Sequence, residues 1–157
     1  MLPGVNLMTE PEVQTWLMTF KAAWETQDTA LFTSLFATGS AYRDTPFSVP
    51  IPCAAFPQFW SDLSGEQQAN DMQFERVEVL DGDRASAFWR AFTARRKSGE
   101  RTEGDDVMAL SFDASGKCSD LREWQRARVA GWALVRRVFG NGCHSHRHRV
   151  SAKSARD

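Results

Sequence analysis

The sequence predicts an α+β domain in which N-terminal helices cover the concave face of a curved antiparallel sheet, giving a cone. Two observations carry this. Apolar residues repeat at helical spacing up to about residue 36 and again briefly near residue 56, and from Asp71 onward the period changes to two. Helices first and a run of long strands afterwards is the pattern of an α+β layer rather than of alternating βαβ units.

The elements follow in order. Thr9 and Glu12 stand at capping-box spacing, with Pro11 in the first turn, where its missing donor is harmless. Behind them Val13, Trp16, Leu17, Phe20 and Trp24 form one apolar stripe, so a first helix lies on a core. Asp28 is placed to cap a second helix carrying Leu31, Phe32, Leu35 and Phe36, and Gly39 to end it. The segment AYRDTPF, Ala41 to Phe47, reads as a short strand stopped by Thr45-Pro46, with Tyr42 and Asp44 on one face. Pro50 and Pro52 mark a loop, and CAAFPQFWSDL offers a short helix with Phe56, Phe59 and Trp60 inward. MQFERVEVL, RASAFWRAFTARR, RTEGDDVMALSF and CSDLREWQR then alternate like strands, separated by the turn compositions DGD, KSGE and DASGK. They make an antiparallel meander.

Composition bounds the function classes. The 157 residues are enough for one domain with a sizeable core, and eleven Phe with six Trp supply its bulk. Apolar runs such as GWALV fall far short of the roughly 20 residues of a membrane span. MLPGVNLMTEPE lacks a basic segment followed by an apolar one, which leads to the expectation of a cytoplasmic protein without membrane attachment. Cys53, Cys118 and Cys143 are far apart and odd in number, so neither a disulfide framework nor a zinc site is expected. No Walker loop, dinucleotide glycine pattern, serine elbow or HExxH occurs, so no cofactor or metal is expected.

Charge is uneven along the chain. Basic residues gather from Arg126 to the end, where Asp157 is the only acid, while the body is acidic. The sequence divides accordingly into a pocket domain over 9–128, a short amphipathic helix over 129–140 built on Trp132, Val135 and Phe139, and a basic disordered tail over 141–157. His144, His146 and His148 beside Cys143 read as an adventitious metal binder rather than a built site, and no nucleic-acid reader module accompanies the arginines.

The element order, the WETQD link, AYRDTPF, the Phe59-Trp60 pair, and ALSFDASGK followed by LREW resemble the SnoaL-like branch of the nuclear transport factor 2 superfamily over about Thr9 to Arg126. That resemblance implies a cone with a pocket. It also implies one of several activities, including steroid isomerisation, polyketide cyclisation, epoxide hydrolysis and dehydration, or noncatalytic ligand binding. By similarity to ketosteroid isomerases, Asp44 takes the position of the catalytic base. The two oxyanion donors of those enzymes, a tyrosine and a protonated aspartate, are replaced here by Phe20 and Met108, so steroid isomerisation is not expected.

Alternation supplies the rest of the pocket. With Met108, Leu110 and Phe112 facing the helices, Asp106 faces in and Asp105 out, unless a one-residue bulge exchanges them. In the register of the family Leu121 and Glu123 also face in. The candidate catalytic set is therefore Asp44, Asp106, Tyr42 and Glu123, and the candidate ligand-binding set is Phe20, Trp24, Trp60, Trp89, Met108 and Leu121. With every histidine in the tail, a base in the body has to be a carboxylate, and of two carboxylates in an apolar cavity one is held protonated as an acid. This suits an isomerase, cyclase, dehydratase or epoxide hydrolase acting on a small apolar, polyketide-like or steroid-like ligand. The alternatives are a noncatalytic ligand-binding or accessory protein and, residue by residue, turn formation or ion pairing with Arg43, Arg90 or Arg122. Trp16, Trp24, Trp60, Trp89 and Trp124 read as core before they read as a ligand platform. Phe88, Trp89 and Phe92 leave apolar rows on both sheet faces, only one of which the helices can cover, so a homodimer is expected.

Overall fold

The computed structural model describes residues 8–129; the Trp132 segment and the histidine-rich tail lie outside the described residues. Helix α1 spans Glu10–Thr26, α2 Thr29–Ser34 and α3 Phe56–Glu66. The strands are β1 Phe36–Arg43, β2 Ile51–Pro52, β3 Gln67–Val79, β4 Arg84–Arg95, β5 Arg101–Phe112 and β6 Cys118–Val129, and a 3₁₀ turn covers Cys53–Ala55.

The start of α1 is fixed as the capping box requires: the Thr9 amide donates to the Glu12 carboxylate at 2.8 Å. Val13, Trp16, Leu17, Phe20, Ala23 and Trp24 are its buried stripe. The helix stops at Gln27, which takes the left-handed conformation (φ 55°) without being glycine. Its side chain is tied down by donating to the Gln67 carbonyl at 3.1 Å and accepting from Arg96 at 3.2 Å, which offsets the conformational cost. Asp28 then caps α2, accepting from the Leu31 amide at 2.9 Å.

The second helix is shorter than its apolar pattern suggests. It ends at Ser34, and Phe36 already lies opposite Cys118 in the sheet. The start of β6 takes up the carbonyls there: the Cys118 amide donates to Leu35 at 2.9 Å and Lys117 Nζ to Ser34 at 3.1 Å. Gly39 therefore does not end a helix; it sits in β1 with φ 82°, where the pairing with β6 shifts between Phe36 and Ala41. A short apolar run fits either period, and tertiary pairing decided this one.

The sheet order is β2-β1-β6-β5-β4-β3. β3 through β6 form the expected antiparallel meander, whereas β1 runs parallel to β6, so the strongly curved sheet is mixed and forms a half-barrel. The edge strand β3 leaves α3 directly at Gln67, five residues before the expected start at Met72, and is irregular between Gln68 and Asp71. Helix α1 stitches that irregular edge in place. Glu25 accepts from the Met72 amide at 3.0 Å, Lys21 donates to the Met72 carbonyl, and Asn70 donates to the Trp24 carbonyl at 3.2 Å.

The core between helices and sheet is an aromatic cluster centred on Phe32. Its ring lies 4.6 Å from Trp60, 4.9 Å from Phe36, 5.2 Å from Phe56 and 5.6 Å from Phe20. Trp16, Trp24, Trp60 and Trp89 are buried as expected, but Trp124 is not core: it stands 44% exposed on the outer face. The register shows why. Trp124 lies opposite Val107, which lies opposite Phe88, itself 40% exposed, and all three alternate away from the helices.

Candidate active site

The inward faces of β4, β5 and β6 change character at a common level. From its closed end β5 presents Phe112, Leu110 and Met108, then Asp106 and Gly104; β6 presents Leu121, then Glu123, Gln125 and Ala127. Past that level lies a cavity of about 200 Å³ whose lining includes Trp24, Tyr42, Asp44, Asn70, Trp89 and Asp106, together with Phe59, Thr93, Gly104 and Gln125. Alternation holds without a bulge there, so Asp106 faces in, 6% exposed, while Asp105 is exposed on the other face.

Three of the four candidate catalytic residues meet in this space: Tyr42, Asp44 and Asp106. Tyr42 is the last inward residue of β1, and Asp44 lies in the bend just after the strand, stopped by the Thr45-Pro46 turn. Glu123 stands behind the wall instead, 1% exposed and bonded to it: the Tyr42 hydroxyl donates to Glu123 Oε2 at 3.0 Å, and Gln125 Nε2 donates to the same oxygen at 2.7 Å. Glu123 Oε1 has no partner among the described residues.

Burial governs the acidities. It pushes the Glu123 carboxyl up to about 8, overriding the lowering by the Gln125 and Tyr42 hydrogen bonds. Asp106 is raised to about 6, again chiefly by burial, although the Arg126 amide donates to its Oδ1 at 2.6 Å and opposes the shift. The Tyr42 phenol is held well above its ordinary value by burial and then by the neighbouring charges of Glu123 and Asp44. Near neutral pH the site thus holds Glu123 and Tyr42 as proton carriers and Asp106 as a proton acceptor. Asp44 and Asp106 both act on Glu123 and Tyr42, so the four groups are one electrostatic cluster.

The ion-pair alternative does not apply to these carboxyls. Arg90 pairs with Glu75 and Glu103, and both Arg43 and Arg122 pair with Asp120. No ion pair among the described residues involves Asp44, Asp106 or Glu123.

The candidate ligand-binding set divides. Trp24 and Trp89 line the cavity, whereas Phe20, Trp60, Met108 and Leu121 are 0% exposed and belong to the core beneath it rather than to its lining. The walls also contain Asn70, Asp71, Thr93, Thr102, Gly104 and Gln125, none of which belongs to the sequence-derived set. Gln125 is accessible to the same alternation that finds Leu121 and Glu123. Asn70 and Asp71 are not, because the irregularity in β3 breaks the period there.

No protein-family model matches the chain, and no curated protein matches it. Among solved structures 329 chains match, so the fold is a common one and cannot select a reaction. One of them, SalBIII, is described as an epoxide hydrolase/cyclase-like enzyme with a role in pyran ring formation in the polyether salinomycin. It aligns with a TM-score of 0.64 over 76% of this chain and 97% of its own, at 13% sequence identity. The chain has the cone-like fold of SnoaL-like, nuclear transport factor 2-like proteins.

Proposed function

We propose that the protein is a cofactor-independent acid/base enzyme acting on a small molecule, of the cyclase or epoxide-opening type. The observation that carries this reading is Asp106: a buried carboxyl with no ion-pair partner among the described residues, facing a cavity that also presents Tyr42 and Asp44. A carboxyl of that kind, titrating near neutrality, suits a general base.

In the proposed step Asp106 takes the proton from a hydroxyl, either water or a hydroxyl of the substrate itself. The oxygen attacks a carbon of a strained or activated C–O bond as that bond breaks. The leaving oxygen receives a proton relayed through Tyr42: its hydroxyl turns from Glu123 Oε2 to the substrate oxygen and gives up its proton as it takes the carboxyl proton of Glu123, and the proton held by Asp106 restores Glu123 after turnover. Asp44, at the end of β1, is positioned as the second carboxylate, holding the attacking hydroxyl. SalBIII, described as epoxide hydrolase/cyclase-like, is a fold neighbour with which this reading is consistent; the likeness does not itself select the reaction.

A panel of neutral epoxides and hydroxy-epoxides, with opened or cyclised products read by mass spectrometry, tests the proposal. Asp106→Asn is expected to lower kcat by about 10²- to 10⁴-fold, and in the native protein the rate is expected to rise with pH through about 6 as Asp106 loses its proton. An Asp106→Asn enzyme that keeps its rate excludes the role.

We further propose a homodimer formed through the outer face of the sheet. The exposed row of Phe88 and Trp124 supports it, since a paired sheet face would bury both. A monomer by light scattering at tens of micromolar, an order-of-magnitude choice set by ordinary association constants, contradicts it.

A further inference from the structure

Three carboxyls line the cavity from three places in the sheet: Asp44 just after β1, Asp71 in β3 and Asp106 in β5. No Lys, Arg or His lines it among the described residues. Asp44 is half-buried and enters no ion pair there. Asp106 is 6% exposed, and its Oδ1 is taken by the Arg126 amide at 2.6 Å. Its Oδ2 has no donor among the described residues and, unlike Glu123 Oε1, is not sealed from solvent, so it opens into the cavity that the residue lines. Asp71 is the most exposed of the three. The nearest cation, Lys21 at 4.0 Å, is already committed to Glu25 and to the Met72 carbonyl.

The polar donors of the wall are also spent elsewhere. The Tyr42 hydroxyl and Gln125 Nε2 both donate to Glu123, Asn70 Nδ2 donates to the Trp24 carbonyl, and Thr93 and Thr102 bond each other. What enters the cavity therefore has to bring its own N–H or O–H. A neutral alcohol would supply the donor but would leave like charges facing one another in a partly dehydrated space. A cation supplies the donor and relieves that repulsion, and an anion would add to it. No group of three carboxyls among the described residues could hold a metal ion, so the charge that suits carboxyls set apart is one carried by an organic molecule. Trp24, Phe59 and Trp89 complete the wall with apolar surface, which matches the carbon frame of an amine and tolerates a cation beside it.

We infer that this cavity takes a cationic substrate, a small molecule with a protonated amine beside its reacting group, whose ammonium is held by Asp44 while Asp71 and Asp106 add to the attraction. The inference rests on reading the cavity as the substrate site and names the class of molecule it selects. The amine is a recognition group, and no bond to it forms or breaks. A carboxylate has two oxygens, so Asp44 can hold the ammonium and the attacking hydroxyl together. A volume of about 200 Å³ is below the roughly 300–1,000 Å³ of drug-sized sites. The enclosed part is therefore the size of one ring.

The test is a calorimetric titration of the full chain at neutral pH and low salt with probes of one shape. These are trans-4-aminocyclohexanol as the cation, 1,4-cyclohexanediol as its uncharged counterpart and 4-hydroxycyclohexanecarboxylate as the anion. Expected are binding of the amine at least about tenfold tighter than the diol, no binding of the carboxylate, and a loss of about tenfold or more in Asp44→Asn, which removes one charge-assisted hydrogen bond. Asp71→Asn, at a solvated position, should lose only about two- to fivefold. Asp62→Asn removes an exposed carboxylate of α3 outside the cavity and should bind as the native chain does. NMR places the cation: saturating amine should move the titration of the Asp106 carboxyl to lower pH, because a neighbouring positive charge favours the ionised form, and the diol should not. An amine bound no more tightly than the diol, native affinity in Asp44→Asn, an unmoved Asp106 midpoint, or a loss in Asp62→Asn as large as in Asp44→Asn overturns the inference; the last would mean diffuse attraction to an acidic surface. If Asp44→Asn fails to fold, the ratio of amine to diol and the Asp106 midpoint in the native chain decide. Turnover of neutral epoxides that depends on Asp106, without preference for the amine, sinks this inference and leaves the acid/base reading standing, and selective binding of the amine without any turnover does the reverse.

Discussion

The closed and open ends of the cone are built on the same strands and obey opposite rules. At the closed end Phe32 packs against rings of four other residues, and the one titratable ring near it is that of Tyr42, 6.0 Å away at the boundary. At the open end the inward positions of the same strands become Asp106, Gly104, Gln125 and Thr93, where helices no longer fill the space. The lesson is that the fold is held by one half of each strand while the other half is left free to carry chemistry. Polar groups there are stabilised less by partners of their own than by the rigidity of the end below them.

The largest expected effect comes from breaking the closed end. Trp60 is fully buried, 4.6 Å from Phe32 and 4.9 Å from Trp24. Trp60→Ala is expected to cost about 3–5 kcal/mol and to lower Tm by about 10 °C or more. Asp106→Asn, which removes a buried charge at the open end with no change of shape, is expected to leave Tm unchanged or higher. Calorimetry of the two variants checks the contrast; similar losses would mean that the open end also holds the fold.

The same division explains what the sequence discloses. The closed end is legible because its signals are periodic and local: the α1 stripe, the Thr9 and Asp28 caps, and alternation along β5 and β6 that places Asp106 and Glu123 inward. The extent of α2 and the role of Gly39 are not legible, because the pairing of Leu35 and Phe36 with the start of β6 depends on residues about eighty positions away. Asn70 and Asp71 escape for a different reason: they lie in an irregular stretch of edge strand whose place is set by Glu25 and Lys21 of α1. Asp44 and Tyr42 are found by their shared face, yet the link from Tyr42 to Glu123 needs three-dimensional distances.

A second, intermediate effect concerns the boundary between the ends. Glu123 is fully enclosed there, and its folded-state pKa of about 8 lies above the ordinary value of 4.5. A raised acid favours the folded state while it holds its proton. Its contribution is therefore complete below the lower value and is lost as pH rises through the upper one. Asp106 adds the same sign between 3.8 and about 6. Native stability should accordingly fall from pH 4 to pH 8, by an amount on the order of a few kcal/mol. Glu123→Gln, which cannot ionise but keeps the shape and an acceptor for Tyr42, should flatten the upper part of that fall. Urea titrations at pH 5 and pH 8 measure it, and an unchanged slope in the variant would show that Glu123 is not the group responsible.

The smallest expected effect is the sharpest probe of the open end. Gly104 lies on β5 between Ala91 and Ala127, with no left-handed backbone to require glycine. A Cβ placed there would stand 3.1 Å from Asp106 Oδ2, while the other carboxylate oxygen is already held by the Arg126 amide at 2.6 Å. The carboxylate has little freedom to retreat, so glycine at this position keeps open the space over its second oxygen. Gly104→Ala should gain roughly 0.4–1 kcal/mol from a stiffer unfolded chain and lose a comparable amount to crowding, leaving Tm within a few degrees of the native value. The added methyl also takes water from Oδ2, which disfavours the charged form, so the Asp106 titration should move to higher pH by a fraction of a unit. Following the side-chain carboxyl carbon of Asp106 by NMR across pH 4 to 8 reads this directly and needs no substrate. A midpoint that stays put, or moves down, would mean that Asp106 swings away from Gly104 into water, and with it the claim that this carboxylate is held in place for proton transfer would fall.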